Sequence, residues 1–332
     1  MSNGLSLGTI AIIVPVFNAE NYLEQCLDSI ICQKYRDFVV IAVNDGSTDR
    51  SREILDFYRE KDDRIVVINQ SNHGVAKARN VGLELAERFE NIQYVSFVDS
   101  DDFIDSDFIN AHIENLRENQ ADLSICGFVE IGNEKNNARK TFCSKINLTQ
   151  LDFLKMVLSI EEWKSVNGAG GMVWKHVYRL SVIRGIRFVE NRDIIEDEIF
   201  CVNISKIVRR YVYIPKNLYY YRVTPNSLSR NIEFLRCWVH GRKACWQVSD
   251  SFSEDSQLVI ALGFINALME SMRNYEVMYD TRPYVALIIK LYKRKLIGFK
   301  TLRRFLLFCY VPNFTKKMYK LERAIRKLLK GN

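Results

Sequence analysis

Three carboxylates, Asp99, Asp101 and Asp102, fall within four positions directly after the run Tyr94-Val95-Ser96-Phe97-Val98. Aromatic and β-branched residues in such a run read as a buried strand, so the acids collect at its C-terminal end. Side chains this close repel one another unless a cation lies between them, and hard divalent ions such as Mg²⁺ or Mn²⁺ prefer oxygen ligands. A metal site is one reading. The other is a solvated acidic turn in which Asp101 or Asp102 caps the helix that follows. A second acidic group, Glu196-Asp197-Glu198, opens the apolar-periodic stretch Ile199, Val202, Ile207. Negative charge is favoured at such a helix start by the macrodipole alone.

The elements that must carry these residues follow from hydrophobic patterning. Thr9 to Val16, Phe38 to Val43, Arg64 to Ile68 and Tyr94 to Val98 are short apolar runs that predict buried strands. Between them, Leu23, Leu27, Ile30 and Ile31, then Ile54, Leu55 and Tyr58, then the stretch from about Val75 to Ala86, recur at helical spacing. Regular alternation with short loops predicts a parallel sheet covered by helices. Ligands of such sheets lie beyond the C-terminal strand ends. Pro15, Phe17 and Asn18 follow the first strand, Asp45, Gly46 and Ser47 the second, Asn72 and Gly74 the third, Asp99 and Asp101 the fourth. Polar clusters at four equivalent loops argue against four unrelated solvated turns. No Gly-x-Gly-x-x-Gly follows the first strand and no Gly-x-x-x-x-Gly-Lys-Ser/Thr occurs, which disfavours a dinucleotide dehydrogenase or a P-loop enzyme.

Further along, Ala121 to Ile131 is strand-like, and Thr149 is placed to cap a helix beginning at Leu151. Gly168-Ala169-Gly170-Gly171 reads as a flexible connection or a mobile loop over a site. Tyr219-Tyr220-Tyr221-Arg222 reads as an edge strand running into a turn. From Glu233 onward helices are expected, with Val259 to Met272, apolar on most sides, packing on the preceding domain.

At 332 residues, 48% hydrophobic and 12% aromatic, the chain is a packed globular protein of one large or two modest domains. Its eight cysteines are scattered, and residues 1–8 are short, uncharged and run straight into a strand pattern, which predicts no secretory signal and reduced thiols. Four histidines far apart in sequence disfavour a zinc site. The net charge of +7 is unevenly spread: residues 281–332 hold fifteen Lys/Arg against the single acid Glu322, while 32 basic and 39 acidic residues leave the first 280 positions at −7. Met318, Leu321, Ile325, Leu328 and Leu329 recur at helical spacing among lysines and arginines. A basic amphipathic helix can lie on an anionic membrane surface or pack on the body with its charged face outward. Nucleic acid is not expected, since no binding motif accompanies the charge.

Four blocks in register over some ninety residues carry a family resemblance: Val14-Pro15-Val16-Phe17-Asn18, Val43-Asn44-Asp45-Gly46-Ser47-Thr48-Asp49, Gly74-Val75-Ala76-Lys77-Ala78-Arg79-Asn80-x-Gly82, and Phe97-Val98-Asp99-Ser100-Asp101-Asp102. In these the chain resembles glycosyltransferase family 2, inverting enzymes with the GT-A fold, of the type that builds bacterial polysaccharides. The resemblance implies an α/β, mostly parallel, Rossmann-like GT-A sheet covered by helices in a catalytic domain over 1–230, with a nucleotide-sugar half over about 1–120 and an acceptor half over about 121–230. A helical, basic region would follow over 231–332. It further implies that Pro15 and Phe17 line a nucleobase pocket, that Asp45 and Asn72 meet a uracil edge, and that Arg79 lies by the nucleotide. Asp99 would touch the ribose, and Asp99 and Asp101 would hold Mn²⁺ or Mg²⁺. Asn44 is a departure, where many relatives carry Asp.

By the same resemblance Asp197 is the general base, with Glu198 and Glu196 as fallbacks, Arg222 and Ser227 close over the diphosphate, and the Trp174 to Arg179 stretch lies on the acceptor side. The implied reaction moves a sugar from a UDP-sugar to a hydroxyl of a growing glycan, with inversion. Surface polysaccharide assembly on a lipid-diphosphate-linked acceptor at the cytoplasmic membrane face would suit the basic end of the chain. Two rivals are a sugar-1-phosphate nucleotidyltransferase, which usually opens with a Gly-rich basic loop that Pro15 to Glu20 lacks, and a membrane scaffold that binds nucleotide without turnover.

Overall fold

The computed structural model describes residues 9–132, 146–160, 171–190, 195–223, 232–275 and 279–310. They fall into two compact units, one within 1–227 and one within 228–332.

The first unit alternates strand and helix as its apolar runs require. Strands β1 (Ile10–Val16), β2 (Phe38–Asp45), β3 (Ile65–Gln70) and β4 (Tyr94–Phe97) are separated by helices α1 (Leu23–Ile31), α2 (Ser51–Lys61) and α3 (Val75–Arg88). Every residue of β1, β2 and β4 is buried, because helices cover both faces of the sheet. The chain continues through β5 (Phe103–Ile104), α4 (Phe108–Glu118), β6 (Leu123–Ile131), β7 (Ile146–Leu148), α5 (Gln150–Val157), β8 (His176–Arg179), α6 (Leu180–Ile183), α7 (Glu196–Ile204) and β9 (Tyr211–Arg222). Thr149 caps α5 as expected, in a reciprocal box with Asp152.

All nine strands among the described residues form one sheet in the order β3-β2-β1-β4-β8-β6-β9-β5, with β7 also on β9. The first four are mutually parallel, β8 enters reversed between β4 and β6, and β6 and β9 are again parallel. With β5 and β7 antiparallel to β9, six of the nine strands point one way. Strand order reverses at β1, since the chain runs outward through β2 and β3 and returns to β4 on the other side. The loops after β1 and β4 therefore part at a topological switch point, where α/β sheets open a crevice.

The second unit holds α8 (Ile232–Gln247), α9 (Glu254–Tyr275), α10 (Val285–Lys293) and α11 (Phe299–Tyr310). Residues 258–265 of α9 are buried all round, within their own unit, against α8 and α10. Trp246 of α8 stacks on Phe264 of α9 with ring centroids 5.5 Å apart. No described helix is long and apolar enough to cross a membrane. Ser227, the 168–170 glycine stretch and the basic segment 311–332 lie outside the described residues.

Candidate active site

The loops after β1, β2 and β3 are tied into one rim. Asn18, in a left-handed conformation (φ 49°), accepts from the Thr48 N–H through its side-chain oxygen at 2.8 Å, while its own N–H donates to Ser47 Oγ at 3.1 Å. Gly46 (φ 74°) touches the third loop: a Cβ there would lie 2.7 Å from the Asn72 backbone nitrogen, so only glycine fits. The buried Asp45 carboxylate then accepts from the backbone N–H groups of His73 (2.9 Å) and Gly74 (2.8 Å) and from Gln70 Nε2 (2.7 Å). Its negative charge is thus fixed at the entrance to α3. Asn44 has a distinct task, since its amide donates to Asn69 Oδ1 at 2.8 Å and its oxygen accepts from the Ser47 N–H at 3.1 Å.

After β4 the three acids take different partners. Asp102 is 1% exposed: Oδ2 accepts from Tyr219 Oη at 2.8 Å and Oδ1 from the Arg222 N–H at 2.7 Å. The solvated-turn reading is therefore overturned, because β5 rather than a helix follows and α4 begins only at Phe108. Tyr219 Oη also accepts from the Asp99 N–H at 3.2 Å. Arg222 donates through Nε to the Asp101 carbonyl at 2.9 Å, lies over the Tyr22 ring at 4.7 Å, and reaches Gln25 Oε1 with Nη2. Burial and the charges of Asp101 and Asp99 push the Asp102 carboxyl well up, and burial with Asp99 pushes Asp101 up to about 6.

Arg79 joins this turn to α7. Its guanidinium, 3% exposed, donates through Nη2 to Asp99 Oδ1 at 2.9 Å and through Nη1 to Glu196 Oε1 at 2.9 Å and Asp197 Oδ1 at 2.6 Å. Burial alone would weaken this cation, but the three carboxylates outweigh it and raise its pKa. Burial pushes the Asp197 carboxyl well above the ordinary range, with Glu196 and Asp99 adding to it against the pull of Arg79. The neighbouring Asn80 holds both backbone polar groups of Phe188, at 2.8 and 3.0 Å, and so fixes the segment leading toward α7. Phe188 stacks on Phe200 of α7 at 4.1 Å and lies 5.4 Å from the Arg79 guanidinium. Gly171 completes the placement, because a Cβ there would meet Glu198 Cγ at 2.4 Å and Cα at 2.7 Å. Glu198 is buried against Gly171, while Glu196 and Asp197 share Arg79.

Residues 11–173 match the model of Glycosyl transferase family 2. Glycosyltransferase GlyA of Streptococcus pneumoniae serotype 4 is 32% identical over 260 residues, covering 77% of this chain and 35% of that protein. EpsJ of Bacillus subtilis, named an uncharacterized glycosyltransferase, is 33% identical over 227 residues, covering 66% of this chain and 62% of that one. The chain belongs to glycosyltransferase family 2. It spans about a third and about three-fifths of the length of these two relatives. The structure of S. aureus TarS 1–349 in complex with UDP-GlcNAc superposes with a TM-score of 0.64 at 20% identity, covering 95% of this chain and 92% of that one. That likeness establishes the GT-A fold.

Within this family 2 domain, Asp99 and Asp197 both meet Arg79, Asp101 lies on the same turn as Asp99, and Arg222, at the end of β9, donates to the Asp101 carbonyl. Asp45 and Asn72 belong to the adjoining rim, with Pro15 buried in β1 and Phe17 half exposed after it. Trp174 and Tyr178, placed by resemblance on the acceptor side, are core residues: Trp174 stacks on Tyr219 at 4.2 Å, and Tyr178 Oη pairs with the buried His176 at 2.8 Å. Sequence reasoning passed over Tyr219, Asn80, Phe188 and Gly171 as positioning residues. Asn80 in the Arg79-Asn80 block, Gly171 at the end of the 168–171 glycine run and Tyr219 in the Tyr219–Arg222 stretch each stood in a motif, whereas Phe188 stood in none.

Among the described residues no three His, Cys, Asp or Glu side chains form a ready-made metal cage. Hard cations such as Mg²⁺ need fewer, typically one or two carboxylates completed by substrate phosphates and water. Asp99 and Asp101 offer that oxygen-only set, and the raised pKa of Asp101 marks negative charge that its surroundings do not neutralise. The residues present therefore fit such an ion.

Proposed function

We propose that this chain is a metal-dependent, inverting glycosyltransferase that moves a sugar from a UDP-sugar to a hydroxyl of a growing glycan. The observation that supports it most directly is the Arg79 cluster, in which carboxylates from the turn after β4 and from the start of α7 converge on one buried cation. The TarS complex with UDP-GlcNAc, on the same fold, supports the donor class. In this reading residues 1–120 bind nucleotide-sugar, 121–230 receive the acceptor, and 231–332 form a peripheral region. Asp45 and Asn72 face the base, Pro15 and Phe17 its ring, and Asp99 the ribose, with Arg222 and Ser227 near the diphosphate. Mn²⁺ or Mg²⁺, held by Asp99 and Asp101, would neutralise charge on the departing diphosphate.

Asp197 takes the acceptor hydroxyl's proton as that oxygen bonds to the anomeric carbon. The bond from that carbon to the diphosphate oxygen breaks on the opposite face, and UDP departs with the electron pair. Burial suits Asp197 to this work, because a raised pKa makes a stronger base. Arg79 orients it. The product belongs to surface polysaccharide assembly, on a lipid-diphosphate-linked acceptor at the inner face of the plasma membrane, which the basic region 281–332 would approach.

The test is UDP release from a panel of UDP-sugars with and without Mn²⁺, paired with calorimetry of UDP binding. Asp197→Asn is expected to keep UDP binding and lose transfer by about 10²–10⁴-fold. Full transfer by that variant overturns the mechanism, and a chain that binds no UDP overturns the donor class.

A further inference from the structure

The turn between α10 and α11 displays apolar and basic side chains together, with no carboxylate among residues 285–310. Helix α10 buries Ile288 and Leu291 yet leaves Ile289 and Tyr292, one turn apart, 37% and 39% exposed, and Leu296, just past the helix end, is 37% exposed. Phe299, 64% exposed, lies across the turn with its ring 6.4 Å from that of Tyr292. Lys293, Lys295 and Lys300 are exposed around them, and Tyr292, Lys293, Lys295, Leu296, Ile297 and Gly298 line a shallow hollow. Lys290 and Arg294 both reach Glu254, at 3.3 and 2.7 Å, so that acid is already engaged.

The exposure is built in by the backbone. Helix α10 ends in a Schellman motif: the Leu296 N–H donates to the Leu291 carbonyl at 3.0 Å and the Lys295 N–H to the Tyr292 carbonyl at 2.9 Å. Lysine occupies the left-handed position (φ 58°) where glycine is usual. The main chain at Leu296 is thus held by hydrogen bonds rather than left as a slack loop.

We infer that the α10–α11 turn docks on an anionic bilayer surface, with Leu296, Tyr292 and Phe299 entering the boundary between head groups and acyl chains and Lys293, Lys295 and Lys300 meeting lipid phosphates. Aromatic and aliphatic groups inside a lysine ring match that boundary, which is apolar below and negative above. A soluble polyanion would use the lysines but not the apolar stripe. The inference deepens the membrane-associated reading above by giving it a surface apart from the 311–332 segment.

The experiment is flotation of the full chain with phosphatidylcholine vesicles, alone or with a third phosphatidylglycerol, in low and high salt. Binding is expected only with phosphatidylglycerol and should weaken with salt. Leu296→Ser/Phe299→Ser, which leaves the charge unchanged, is expected to lower partitioning at least tenfold, and Lys293→Glu/Lys295→Glu likewise. Thermal melting of both variants controls for folding. Unchanged vesicle binding in either variant overturns the inference, as does binding of soluble polyphosphate in place of vesicles. UDP release with a soluble acceptor should match the parent in both variants, so failure of this surface is distinguishable from failure of the proposed catalysis.

Discussion

Replacing Arg79 by Gln substitutes a shorter, neutral amide for the one cation that, among the described residues, touches Asp99, Glu196 and Asp197 together. Removing one partner of a buried ion pair costs about 3–5 kcal/mol, because the charge left behind has lost its compensation. Here the stranded side chains are 24%, 21% and 15% exposed, so water screens part of the loss and the lower end, about 3 kcal/mol, is expected. For a unit of this size that is a fall in Tm of roughly 6–12 °C, measured by thermal denaturation. Arg79→Lys, which keeps a charge but not the fork that spans three carboxylates, should lose roughly half as much. Combining Arg79→Gln with Asp197→Asn should cost clearly less than the two changes added, since one surplus charge goes with the cation. A Tm within about 2 °C of the parent for Arg79→Gln, or strict additivity in the pair, would refute the claim that this arginine is the common counter-ion.

Gly171→Ala should displace the first turn of α7, because the added Cβ meets Glu198 within 2.7 Å of its Cα; transfer should fall at least tenfold while UDP binding by calorimetry stays near parental. Tyr219→Phe removes the hydroxyl between the Asp99 N–H and Asp102 Oδ2, and a loss of about 1–3 kcal/mol in denaturant unfolding is expected. Burial lowers His112 to about 3, so below the unfolded value near 6.5 the unfolded chain binds a proton that the native chain refuses, and stability falls as pH is lowered. From this residue alone the loss at pH 5.5 is about 1.4 kcal/mol, and His112→Gln should flatten the dependence of unfolding free energy on pH between 7.5 and 5.5 by that amount.

What the sequence disclosed and what it hid divide along contact distance in the chain. The strands of the β3-β2-β1-β4 half were readable because each is a run of apolar residues that a sheet covered on both faces must contain, and Thr149 because a cap acts on the next turn. The convergence on Arg79 was not readable, since Asp197 lies 118 positions away and the helix face carrying Arg79 resembles a solvated one until the segment around Phe188 closes over it. Asp102 is the sharper instance. Alone it looks like one more acid in an acidic turn, and only the pairing of β5 with β9 brings Tyr219 and the Arg222 N–H to its two oxygens. Three carboxylates in four residues can coexist because each meets a different answer: Asp102 is satisfied by β9, Asp99 by Arg79, and Asp101, raised to about 6, retains the charge that a divalent ion would meet. Spacing alone could count those acids but not sort them, because the sorting is done by partners more than a hundred residues downstream for Asp102 and by a helix packed from the other side for Asp99.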